Sequence, residues 1–166
     1  MAELLPSERL QPSLLDRLCD DDPTNSAESR EQRVLSVRRL RQSVLRDIAW
    51  LLNAVSLESV QNLDNYPEAA KSVINYGIPD LSGHTLGIHD IDIIEKRIRK
   101  VLLDFEPRIL PNTLKIKIVS TDSYNHNAMN FIIEGDLWMQ PLPMRLYLKT
   151  QFDLETGNVV VMDTSG

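Results

Sequence analysis

Leu102-Leu103-Asp104-Phe105-Glu106-Pro107-Arg108-Ile109-Leu110-Pro111-Asn112-Thr113-Leu114-Lys115-Ile116-Lys117-Ile118 is the stretch in which the chain changes character. Leading into it, Ile91, Ile94, Ile98, Val101, Leu102 and Phe105 recur at the spacing of one helix face. Beyond Pro111 the period falls to two, and Leu114, Ile116 and Ile118 alternate with Lys115 and Lys117. Pro107 disfavours helical geometry at Glu106 and marks where the helix stops. Helices first and strands last predict an α+β domain, with N-terminal helices packed on one face of a C-terminal antiparallel sheet.

Downstream, Met129, Phe131, Ile133, Leu137 and Met139 alternate with mostly polar neighbours, and Gly135 reads as a bulge. Met144, Leu146, Leu148, Phe152 and Leu154 do the same against Arg145, Tyr147, Lys149, Gln151 and Asp153. Glu155-Thr156-Gly157-Asn158 is a turn before a last strand, Val159 to Met162, which gives a sheet of about four strands. That last strand is either used up inside its own sheet or lies at an edge and accepts a strand from another protein.

Upstream, Ser29 and Gln32 fit a capping box ahead of Val37, Leu40, Val44, Ile48 and Leu51, predicting a helix over residues 30–53. Pro67 to Tyr76 reads as a further helix, with Gly77 at its C′ position and Pro79 just beyond. In the helix before Pro107, Asp90, Asp92 and Glu95 come early and Lys96, Arg97, Arg99 and Lys100 late, which complements the helix dipole without any ligand. Leu10, Leu14, Leu15 and Leu18 form a short stripe that ends in the turn-rich Asp20-Asp21-Asp22-Pro23-Thr24-Asn25-Ser26. Residues 1–29 therefore read as an N-terminal arm that packs on its own domain or on another subunit, and residues 30–166 as one α+β domain.

Composition narrows the function. Apolar residues at 42% and charged residues at 25% are ordinary globular usage. The longest apolar run, Ile48 to Val55, is broken by Asn53 and is far shorter than the roughly 20 residues that span a bilayer. The lone Cys19 and the absence of a signal-like N-terminus point to the cytoplasm. A net charge of −6, spread evenly along the chain, gives little support to nucleic-acid binding. The local exception is Arg30, Arg33, Arg38, Arg39, Arg41 and Arg46 against Glu31 and Asp47, either a solvated helix face or a face for an acidic partner.

No phosphate loop, nucleophile elbow or zinc motif occurs, and His84, His89 and His126 lack metal-site spacing, so neither cofactor nor metal is expected. Glu106 and Arg108 flank a rigid turn between helix and sheet. They either bridge each other and hold that corner, or present a carboxylate and a guanidinium to another chain. A glycosidic reading would make Glu106, beside Phe105, a general acid, but no persuasive second carboxylate accompanies it.

Pro12-Ser13-Leu14-Leu15-Asp16-Arg17-Leu18, then Ser29-Arg30-Glu31 leading into Val44-Leu45-Arg46-Asp47-Ile48-Ala49-Trp50-Leu51-Leu52-Asn53, then Asn75-Tyr76-Gly77-Ile78-Pro79-Asp80, and finally Phe105-Glu106-Pro107-Arg108 follow one another along the chain. Together they resemble the TssE family, the baseplate wedge component of the bacterial type VI secretion system. That family is similar to a small wedge protein of contractile phage tails and shares its "lysozyme-like" label. The resemblance implies structural work rather than hydrolysis, with a peptidoglycan hydrolase using Glu106 as the alternative. It implies that Glu106, Pro107 and Arg108 contact the neighbouring subunits TssF and TssG, with TssK close by, and that the sheet joins the baseplate to the TssB and TssC sheath. The implied location is the cytoplasmic side of the inner membrane, with no membrane insertion and no nucleic acid.

Overall fold

Two long helices carry the apolar stripes and a four-stranded sheet receives them. The computed structural model describes residues 13–18, 37–80, 88–119, 128–139 and 143–164. In chain order these form α1 (Leu14–Leu18), α2 (Val37–Asn53), α3 (Pro67–Ala70), α4 (Ile88–Phe105), β1 (Lys115–Val119), β2 (Ala128–Leu137), β3 (Met144–Asp153) and β4 (Val159–Asp163). The sheet is an antiparallel meander in the order β1-β2-β3-β4. The α+β reading holds, with the helices preceding the sheet and covering one face of it.

Leu40, Val44, Ile48, Leu51 and Leu52 of α2 and Ile94, Ile98 and Leu102 of α4 join the inward rows of the strands in one buried core. Each fully buried Leu or Ile contributes about 1.5–3 kcal/mol through removal of apolar surface from water, so these stripes carry most of the domain's stability. Sheet residues alternate as the period-two reading requires: Met129, Phe131, Ile133 and Leu137 are buried on β2, and Leu146, Leu148 and Phe152 on β3.

Two local expectations change. β2 and β3 pair one-to-one from Ala128↔Asp153 to Leu137↔Met144, so there is no bulge at Gly135. Glycine there gives Ile109 room: a Cβ would lie 3.3 Å from Ile109 Cγ2, a tight contact that this side chain would have to relieve by a few tenths of an ångström, and 3.7 Å from Leu114 Cα, an ordinary one. The helix expected over Pro67–Tyr76 breaks after Ala70. The Ser72 hydroxyl donates to Ala69 O (2.9 Å) and accepts from Ile74 N (3.3 Å), competing with the helical ladder, and a 3-10 turn, Val73–Asn75, follows. The helix expected over 30–53 is described from Val37 and ends at Asn53 as anticipated. The Ser29–Gln32 cap, the 20–26 linker, Cys19, His84 and His126 lie outside the described residues.

The connector between α2 and α4 is fastened to the end of α2. Gly77 has φ 125°, and a Cβ there would meet Ala54 O at 2.3 Å, so only glycine fits. Ser56 N donates to Ile78 O and Ile78 N to Ala54 O, both at 2.9 Å. The buried Asn75 accepts from Glu58 N and donates to Ala70 O, also at 2.9 Å.

Helix side chains cover both sheet edges. On β4, Asn53 donates to Val159 O and accepts from Val159 N, each at 2.9 Å, much as a neighbouring strand would. Arg41 pairs with Asp163 further along the same edge. On β1, Glu95 accepts from Ile118 N at 2.7 Å.

Thr150 is the one polar residue in the inward row of β3. It is 1% exposed, and its hydroxyl has no hydrogen-bond partner among the described residues. Replacing a buried, unpaired hydroxyl by a methyl of the same shape is favourable by about 1 kcal/mol. Thr150→Val is therefore expected to raise the urea midpoint, and a lowered midpoint would mean that the hydroxyl is paired in solution.

Candidate functional site

The site is built where α4 stops. Glu106 N still bonds to Leu102 O (2.9 Å), the last helical rung, and Ile109 N bonds to Glu106 O (3.2 Å), closing a turn around Pro107. The Glu106 side chain folds beneath that turn. Its Oε1 accepts from Arg108 N (3.2 Å) and Arg108 Nε (2.6 Å), and its Oε2 accepts from Arg108 Nη2 (2.5 Å). This is the bidentate fork that a guanidinium makes with a carboxylate.

Helix α2 supplies the other half. Ser43 and Asp47, one turn apart, share a polar row beside its core stripe. Arg108 Nη2 also donates to Asp47 Oδ2 (2.6 Å), and Nη1 donates to Ser43 Oγ (3.2 Å). Four of the five guanidinium N–H groups are therefore used within the chain. Asp47 Oδ1 accepts from Arg46 Nε (3.0 Å) and Nη2 (2.8 Å), and Arg46 Nη1 reaches Asp16 Oδ1 on α1 (2.8 Å). Arg46 also lies over the Trp50 ring, 5.1 Å from its centroid. Tyr76 packs edge-on against Phe105 at 5.4 Å and directs its hydroxyl to Asp47 O (3.4 Å).

Exposure separates the three turn residues. Glu106 is 3% exposed, the Arg108 side chain 23%, and Pro107 stands at the surface as the apex. Burial acts to lower the Arg108 pKa, but the hydrogen bonds and charges of Glu106 and Asp47 outweigh it, and the net shift is upward. Burial likewise acts to raise the Asp16 carboxyl. Hydrogen bonds from Ser13, Ser43 and Arg46 and the Arg46 charge prevail and hold it well below the usual carboxylate range. Burial pushes the Tyr76 phenol up, assisted by the negative charges of Asp47 and Glu106.

Three carboxylates thus share two guanidiniums, and the result is an ion-pair network. Among the described residues, no group of ligating side chains is placed to hold a metal ion. Glu106 lines neither the depression over residues 58–64 nor the one between Gly77 and Phe105. Of the two readings of Glu106 and Arg108, the internal bridge is formed. The sequence reading gave no site role to Ser43, Asp47, Tyr76 or Asp16, although the last three stand in the stretches that carry the resemblance. A further signal was the Ser43–Asp47 spacing, a polar row flanking the core stripe of an amphipathic helix. Two of the helix arginines, Arg41 and Arg46, are spent within the chain.

A buried carboxylate here clamps an exposed proline apex at the junction of helix and sheet, and the chain matches the family described as baseplate wedge protein gp25 over residues 38–142. It belongs to that family. TssE is a member of the same family, so the resemblance read from the sequence holds, and the role that goes with it is structural, in a baseplate wedge. The matched span contains Ser43, Asp47, Tyr76, Glu106 and Arg108 and leaves out α1, β3 and β4. No protein with a curated description matches the sequence. No helix among the described residues is long and apolar enough to cross a membrane.

Removing one member of a buried ion pair leaves the other uncompensated, so Glu106→Ala is expected to cost about 3 kcal/mol in urea unfolding. A cost below 1 kcal/mol would mean that the pair is solvated. Acid supplies a second test. The Asp16 carboxyl is depressed in the folded chain, so its contribution is complete above the unfolded aspartate value of about 3.9 and fades as pH falls below it. Wild type should lose more stability than Asp16→Asn between about pH 5 and 2, and parallel curves would contradict the assignment.

Proposed function

We propose that this wedge protein is a non-enzymatic subunit of a type VI secretion baseplate, docked on the cytoplasmic side of the inner membrane. Its Glu106-Pro107-Arg108 corner seats the TssF and TssG wedge subunits, with TssK adjacent, and its sheet leads to the TssB and TssC sheath. The observation that carries this reading is the Glu106–Arg108 fork braced by Asp47 (2.5 and 2.6 Å), which fixes the direction of the exposed Pro107. A corner whose ionic groups are already satisfied recognises a partner by shape and by the one remaining guanidinium N–H. Such pre-organisation lowers the cost of association.

The sheath role is supported by the β4 edge. Asn158 O and Thr164 N bond towards β3, while both polar backbone groups of Val159 bond outward to Asn53. By the alternation of an antiparallel ladder, the backbone groups of Val161 also face outward, between the Asn53 clamp and the Arg41–Asp163 pair, and an added strand would pair there once those helix side chains yield. Hydrolysis finds no such support. Both Glu106 oxygens accept guanidinium hydrogen bonds, and the side chain lines neither of the two depressions described above, so it is not presented to a leaving group.

Copurification tests the corner. Arg108→Lys keeps the charge and loses the fork. The folded variant should retain about tenfold less TssF and TssG than wild type, the loss of one charge-assisted contact. Full retention would remove the corner from the interface, and release of muropeptides by wild type, abolished in Glu106→Gln, would replace the structural reading with the hydrolytic one.

A further inference from the structure

Helix α1 is fastened in an unusual way. Leu14 and Leu18 are 71% and 73% exposed, so apolar burial does not hold it. Asp16 does. Its Oδ2 accepts from Ser13 Oγ and Ser43 Oγ, both at 2.6 Å, and its Oδ1 accepts from Arg46 Nη1 at 2.8 Å. Ser13 also caps the helix by accepting from Asp16 N at 3.2 Å.

Ser43 connects this clasp to the corner. A hydroxyl has one proton and two acceptor lone pairs. An ionised Asp16 only accepts, so the Ser43 proton points to it, and the lone pairs face Arg108 Nη1 (3.2 Å) and Arg46 Nη2 (3.4 Å). Without Asp16 the proton is free to turn to a carbonyl of its own helix, as helical serines commonly do, and a lone pair leaves Arg108. A second path runs through Arg46, which Asp16 shares with Asp47, the residue that grips Arg108 from the other side.

We propose that α1 is a positioning element of the wedge corner: Asp16, acting through Ser43 and Arg46, orients the Arg108 guanidinium, so docking of the arm and presentation of the corner favour each other. The consequence for partners rests on the corner being the docking site, as proposed above. The coupling itself does not. The family match begins at residue 38 and so assigns nothing to this helix. Linkage requires reciprocity: whatever stabilises the corner in its bound form also tightens the arm.

The test uses the full chain as wild type, Asp16→Asn and Ser43→Ala, with nitrogen-detected exchange of the Arg108 Nε–H and amide exchange of residues 14–18. In both variants the Arg108 Nε–H should exchange about tenfold faster, as expected for coupled members of one network, while β2 core amides keep their wild-type rates. Unchanged Arg108 exchange in Asp16→Asn, with the α1 amides released, would overturn the proposal and make the arm an independent appendage. Binding to TssF and TssG separates the two readings. Faster Arg108 exchange with wild-type partner binding supports the coupling and counts against the corner as the docking site, whereas faster exchange with weaker binding supports both.

Discussion

The fold turns on one guanidinium. Arg108 is held between Glu106, at the end of α4, and Asp47, in the middle of α2, and it is the only cation within reach of the buried Glu106 carboxylate among the described contacts. A carboxylate taken out of water without a partner is costly, whereas a bidentate partner with a second carboxylate behind it makes the arrangement stable and directional. That requirement fixes the angle at which the chain leaves α4 and enters β1. It also fixes the lateral position of α2, because Asp47 sits on the same helix that lays Val44, Ile48 and Leu51 into the core.

Four stretches far apart in sequence meet at this point. Asp16 arrives from the arm, Ser43, Arg46 and Asp47 from α2, Tyr76 from the connector, and Glu106 and Arg108 from the turn. The connector's own constraints serve this convergence. Gly77 lets the chain pass against Ala54, and Tyr76 is thereby laid on Phe105 beside the ion pairs. A network assembled from four chain segments resists the displacement of any one of them.

Periodicity made the architecture legible. The switch from Ile94, Ile98 and Leu102 to Leu114, Ile116 and Ile118 announced helices before sheet, and each of those residues but Ile118, which packs partly exposed against it, lies in the core. What stayed illegible depended on contacts across long separations. Gly135 looks the same in sequence whether it makes a bulge or admits Ile109, and Ser72 reveals its break in the helix only once its hydroxyl has chosen Ala69 O. At the site, Glu106 and Arg108 stood out because Pro107 placed them on a local turn. Asp47 did not, since nothing in an amphipathic helix says which of its polar residues faces an arginine 61 positions away.

The grip of Asp47 on Arg108 is open to direct measurement by a double-mutant cycle on unfolding free energy, with Asp47→Ala, Arg108→Ala and the pair. Contacting members of one ionic network couple by about 0.5–3 kcal/mol, and a corner that organises the fold should lie in the upper half of that range. Additive effects, with a coupling near zero, would mean that the two residues act separately and that the corner is held by backbone and packing alone.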